Sequence, residues 1–108
     1  MRKKIAAVIL AGVLASAFGM TAYAGQWKSN DQGWWFQNDD GTYHTNGWYW
    51  IDGNGDGSAE KYYFYADGYM AHNNKIGALQ VNQTGQWESR GVVQTKIVPP
   101  GTVEFVRN

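Results

Sequence analysis

From Trp27 onward, short apolar clusters alternate with short polar stretches. The clusters are "GWWF" at Gly33, "GWYW" at Gly47 and "YYFY" at Tyr62. Between them lie "NDDG", "DGNGDG", "ADG" and "QTG". Ring-rich clusters bounded by Asn, Asp and Gly predict short strands joined by tight turns. No window repeats apolar residues at the 3.6-residue spacing of a helix. Laid against itself, the chain gives three related units. They are "GWWFQNDDGTYHTN" (33–46), "KYYFYADGYMAHNN" (61–74) and "GALQVNQTGQWESR" (77–90). Each predicts a strand, a turn ending in glycine (Gly41, Gly68, Gly85) and a return strand. In the third unit Leu79 and Val81 replace rings, and Trp87 survives.

The start of the chain has a different pattern. Arg2, Lys3 and Lys4 precede the uncharged apolar run "IAAVILAGVLASAF", and Ala22-Tyr23-Ala24 places small residues at the cleavage positions. This predicts a secretory signal over 1–24, cut after Ala24, and so a secreted or cell-surface protein. The apolar run is short for a membrane span of about 20 residues. Cleavage removes three cations from a chain of formal charge +0, leaving it acidic by three charges. That argues against nucleic acid or an anionic membrane surface as partner.

Composition narrows the fold. There are 6 Trp, 7 Tyr, 4 Phe and 14 Gly but no cysteine. Disulfides therefore cannot brace a small secreted domain, nor can a lipid be carried on cysteine. Leu79 is the one leucine beyond residue 24. A lone hairpin is marginal in water, so the units need each other to bury their open faces. The expected fold class is all-β, a short array of stacked β-hairpins forming a β-solenoid after the cleaved signal peptide. The module is expected over 25–96, with 97–108 as a tail. In that tail Pro99-Pro100 stops a strand and "TVEFV" alternates like one more.

The acidic stretch "DGNGDG" has two readings. Asp52, Asn54 and Asp56 stand at positions one, three and five of a calcium-loop pattern. Gly57 falls at six, the Ser58 carbonyl at seven and Glu60 at nine. Position twelve, where the pattern needs Glu, holds Tyr63. Asn, Asp and three glycines also make a wide turn unaided. The turn is the first reading, with weak calcium binding at Asp52, Asn54, Asp56 and Glu60 as the alternative. No other cofactor is expected.

"GWWFQNDDGTYHTNGW" and "KYYFYADGYM" resemble the cell-wall-binding repeat, also called the choline-binding repeat, of Gram-positive surface proteins. With its "WIDGNGDG" insert and closing "GVVQTK", the segment from Trp27 to Lys96 looks like a variant carried by secreted clostridial proteins. The resemblance implies stacked hairpins with a choline headgroup held between neighbours by two Trp and one Tyr. Position by position, it implies a box at the seam of hairpins one and two. Its walls would be Trp34 or Trp35, Trp48, and Tyr62 or Tyr63, with Met70 as filler. A quaternary ammonium offers no hydrogen-bond donor, so ring faces and dispersion must hold it.

Catalytic patterns are missing from the sequence. There is no Cys nucleophile, no phosphate-cradling Gly loop before a helix and no metal-type His spacing; His44 and His72 read as exposed strand residues. The function expected is a non-enzymatic module that binds a bacterial cell-wall polymer, through teichoic-acid choline or glycan, with self-association as a further partner mode. The alternatives are a structural or adhesion repeat whose rings are core only, and a glucan binder that stacks rings on sugar faces.

Overall fold

In the computed structural model, residues 25–107 are described. The signal-peptide reading of 1–24 lies outside the described residues. Every regular element is a β-strand. Strands β1 (Gly25–Asn30) and β2 (Gly33–Asn38) form a two-stranded antiparallel sheet. Strands β3 (Gly47–Ile51) and β4 (Ser58–Phe64) form a second hairpin. Strands β5 (Asn74–Ile76), β6 (Leu79–Val81), β7 (Trp87–Ser89) and β8 (Val92–Val93) form a meander. Strands β9 (Thr95–Ile97) and β10 (Val103–Phe105) flank the central hairpin, giving the order β10-β3-β4-β9. The alternating "TVEFV" thus holds a strand, and its partner is β3.

The repeat is written in the backbone. Gly41, Gly68 and Gly85 have φ of 91°, 92° and 85°. Each donates its N–H to the carbonyl three residues earlier, at Asn38, Tyr65 and Asn82. The next bond out runs from Asn38 to Thr42, Tyr65 to Tyr69 and Asn82 to Gln86. Five residues past each glycine a non-glycine enters the left-handed region: Asn46, Asn73 and Arg90, at φ of 54°, 47° and 55°. The third unit has lost the ring cluster before its turn but keeps this geometry. Turn chemistry, not ring content, therefore sets the backbone of the repeat.

One face of the central hairpin carries the core. Cross-strand register places Tyr49 opposite Tyr62 and Gly47 opposite Phe64. Trp27 from β1 packs against Phe36, Tyr62 and Phe64 at centroid distances of 5.2, 4.8 and 5.9 Å. Ile51 and Met70 complete the buried cluster, with Trp34, Tyr49 and Val103 at its margin. Such ring contacts add about 0.5–1.5 kcal/mol each beyond area burial, which suits a core with few aliphatic residues. His44 departs from its expected exposure. It is half-buried and stacks on Tyr49 at 4.2 Å, and its buried Nε2 has no hydrogen-bond partner among the described residues. Burial pushes its pKa down.

The acidic loop connects β3 to β4. Asp52 is buried, and its carboxylate is met by backbone amides. Oδ1 accepts from Asp56 N at 3.1 Å, and Oδ2 accepts from Gly57 N at 2.8 Å and Gly101 N at 3.0 Å. Asp52 N also donates to Thr102 O, and Val98 N to Gly57 O. The loop thereby clamps the segment before β10 to the central hairpin. Asn54 and Asp56 close turns on following amides. Among the described residues no group of three or more His, Asp or Glu converges to hold a metal. The crowding of acids shows on Glu60. Burial, then the charges of Asp56 and Asp52, push its carboxyl up to about 7.

Candidate functional site between the first two turns

The seam between the first two repeat turns is an open cleft of about 260 Å³. Its rings are Trp35, Tyr43 and Tyr69, and Asp67 is the charged residue lining it; Asn30, Gln37, Gly41 and Gly68 complete the wall. Trp35 projects from the face of β2 opposite Trp34 and Phe36, because strand side chains alternate. Tyr69 stands edge-on to it at 6.0 Å and 90°. The Tyr69 ring lies over Gly33, where a Cβ would come within 3.3 Å of it. Its hydroxyl is pinned by Asn30, whose Nδ2 donates to it at 2.9 Å, and by Gln32. Tyr43 lies against Gly68 so closely that a Cβ there would sit 2.6 Å from the ring. Asp67 is fixed in turn by accepting from Tyr69 N at 3.0 Å. Three rings and one carboxylate line an open cleft, and those are groups that can hold a cation.

At the second seam the equivalent positions are Tyr62, Met70 and Gln86, and they pack shut. Met70 tucks beneath Gly85, where a Cβ would fall 2.3 Å from its Sδ. Tyr62 is buried, its hydroxyl bonds Glu60 and Gln86, and burial pushes its pKa up.

The residues expected to form one box are distributed over three places. Trp34 borders the core and accepts from Met70 N at 2.7 Å through its carbonyl, while Tyr62 and Met70 lie inside the core. Trp35 lines the cleft. Trp48 and Tyr63 pair at 5.3 Å on the other face of the central hairpin. Of the expected walls, Trp48 with one ring from each pair, the structure puts Trp48 and Tyr63 side by side; it places Trp34, Trp35, Tyr62 and Met70 apart from them. The cleft residues absent from the sequence reading are Tyr43, Asp67 and Tyr69. All three sit within two residues of a turn glycine, outside the ring clusters; their signal is their position relative to Gly41 and Gly68.

That other face holds a second aromatic group. Trp48 and Trp50 share it with Lys61 and Tyr63, and Trp87 approaches from β7. The Lys61 ammonium lies 4.6 Å from the Trp87 ring, 5.2 Å from Trp48 and 5.8 Å from Trp50. Lys96 reaches over Trp50 at 5.9 Å and pairs with Glu104 at 2.8 Å.

No protein-family model matches the chain, and no curated protein does. Solved structures do. The choline-binding domain of Spr1274 from Streptococcus pneumoniae superposes at a TM-score of 0.52 with 27% identity, over 61% of this chain and 72% of that one. The chain has the fold of a choline-binding domain. The modular Cpl-1 endolysin, solved with a peptidoglycan analogue, superposes at 0.51 with 28% identity, over 62% of this chain and 19% of the endolysin. The pneumococcal cell-wall endolysin from phage Cp-1, solved with choline, shares the fold at a TM-score of 0.50 and 22% identity, over 80% of this chain and 25% of that one.

Proposed function

We propose that the chain is a secreted, non-catalytic module that binds choline-like groups of a bacterial cell-wall polymer in the cleft of Trp35, Tyr43 and Tyr69. The observation that carries this reading is the cleft itself: three rings from two successive turns, with Asp67 beside them, around an open volume. A quaternary ammonium loses little hydration on entering, meets three rings and is matched by one carboxylate. The likeness to a choline-binding domain at 27% identity supports the same reading. So does the presence of one carboxylate in the cleft, since glycoside hydrolysis ordinarily uses a pair. One such cleft binds weakly; repetition along a polymer, or self-association of the chain, supplies avidity. In this reading residues 1–24 direct export, and the module works at the cell surface.

The test is a tryptophan-fluorescence titration with choline chloride against matched sodium chloride, on the wild-type chain and on Trp35→Ala. The reading expects a saturable change in the wild type, and affinity roughly five- to thirty-fold weaker in the variant, from a cation–ring loss of roughly 1–2 kcal/mol. Indifference to choline in a folded chain that is retained on dextran or peptidoglycan would replace the cation with a glycan. Indifference to all three would leave a structural repeat.

A further inference from the structure

The chain holds two Asn-Gly pairs, Asn46-Gly47 and Asn54-Gly55. Both asparagines are exposed, so neither local sequence nor solvent access separates them. Their glycines differ. Gly47 opens β3, is paired with Phe64 across the ladder, and has the Phe105 ring packed 2.8 Å from where a Cβ would stand. Asn46 N also donates to Tyr65 O at 3.2 Å, which ties that peptide to the chain just past β4. Gly55 lies outside every strand, and its N–H reaches Asp52 O only at 3.4 Å, longer than an ordinary hydrogen bond. We propose that Asn54 is a self-modification site: the Gly55 amide nitrogen displaces the Asn54 side-chain amide, while the like pair at Asn46 is protected by the sheet.

Cyclisation needs the following nitrogen to approach Cγ, and glycine, lacking a Cβ, obstructs that approach least. The Gly55 nitrogen gives its proton to solvent hydroxide and forms a bond to Asn54 Cγ. Negative charge develops on Oδ1, which already accepts from Asp56 N at 3.3 Å. The Cγ–Nδ2 bond then breaks, and the nitrogen leaves as ammonia with a proton taken from water. Water adds to either carbonyl of the resulting succinimide and opens it to aspartate or isoaspartate. No atom is oxidised or reduced. The neighbouring carboxylates are already engaged: Asp52 accepts from the Asp56, Gly57 and Gly101 amides, and Asp56 accepts from Ser58 N at 2.9 Å. Either product alters the loop that clamps the segment before β10. Aspartate adds a third carboxylate beside Asp52 and Asp56. Isoaspartate routes the main chain through the former side chain and lengthens it by a methylene, between Asp52 and two of the amides that hold it. The site is independent of what the cleft binds.

The test incubates the full wild-type chain in mildly alkaline buffer, folded and in urea sufficient to unfold it, and follows both sites by peptide mass spectrometry. Deamidation adds about one dalton to the peptide that carries it. In the folded chain Asn54 is expected to convert at least about ten-fold faster than Asn46, because the sheet restrains the Asn46 site. In urea the two sites should convert at comparable rates. Isoaspartate should accompany aspartate at position 54, since ring opening yields both and direct hydrolysis of the side chain yields aspartate alone. Equal rates at the two sites in the folded chain, or faster conversion at Asn46, overturn the proposal. A difference that persists unchanged in urea also overturns it, because local sequence and not the sheet would then set the rates. Conversion at Asn54 without isoaspartate removes the Gly55 nitrogen from the reaction and sinks the mechanism.

Discussion

The two seams between successive repeat turns use the same backbone and end in opposite states. At the first, Trp35, Tyr43 and Tyr69 stand around an open cleft. At the second, Tyr62, Met70 and Gln86 occupy the matching positions, and Tyr62 and Met70 are buried there. The residue two past the turn glycine makes much of the difference. Tyr43 is 50% exposed and lies close against Gly68; Met70 is 5% exposed and packs against Gly85. A stiff ring in that slot builds a wall, whereas a flexible thioether fills a gap. The rings of this repeat are thus not interchangeable members of a box. Whether a seam binds or packs depends on which side chain the turn places in it.

The largest expected effect separates core from cleft. Phe64→Ala removes a fully buried ring and should cost about 3–5 kcal/mol of unfolding free energy in a urea titration. Trp35→Ala, at the half-buried cleft, should stay within about 1.5 kcal/mol of wild type while losing choline binding. Equal costs would mean that the cleft rings are structural.

A second contrast lies in the turn glycines. Gly85→Ala combines a left-handed backbone with a collision on Met70 and should cost roughly 2–4 kcal/mol. Gly41→Ala meets nothing within 4 Å and carries the backbone term alone, about 1–2 kcal/mol. If both cost the same, the close packing of the second seam does not contribute.

Glu60 and His44 respond to pH with opposite sign. Glu60 has its folded pKa raised from 4.5 to about 7, so between those values the native state binds more protons than the unfolded chain. Stability from this group should be full below about pH 4.5 and fall as pH rises toward 7. Because Glu60 is only half-buried, the loss should be under about 2 kcal/mol. Glu60→Gln should flatten that slope in a pH series of thermal melts. His44 has the opposite sign: its pKa is lowered by burial, so stability should fall as pH drops below 6.5. The Glu60→Gln background exposes that limb by itself.

The smallest effect is expected at the strap over Trp50. Lys96 and Glu104 are nearly half exposed, so Lys96→Ala should change stability by less than about 1 kcal/mol, measured by denaturant midpoint.

Much of the fold was legible in the sequence because its signals are local. The Asp-Gly and Thr-Gly turns, the strands leading into them and the connection at "DGNGDG" follow from turn chemistry and alternation, whereas the return strands expected after Gly41 and Gly68 are single bridges, Gln37 with Tyr43 and Phe64 with Met70. The all-β array and its likeness to choline-binding domains followed from those units. The first hairpin, β1 with β2, was less visible, since its Asp31-Gln32 turn lacks a glycine between the strands. The site was harder to read. In a strand each successive residue changes face, so "GWWF" and "YYFY" send neighbouring rings to opposite environments. Trp34 meets the core while Trp35 meets solvent. Nothing in the cluster says which face is which until the register with β1 and the turn at Gly68 are known. Lys61 among tryptophans was invisible for the same reason: its closest ring, Trp87, comes from another unit.

The most direct test of the central claim is a choline titration of the uniformly labelled chain, read at the indole N–H of each tryptophan against a sodium chloride control. The account predicts a saturable shift at Trp35 while the buried Trp27 stays fixed. A Trp35 signal that moves no more with choline than with sodium chloride would contradict it, and would leave the open seam without a cation to hold.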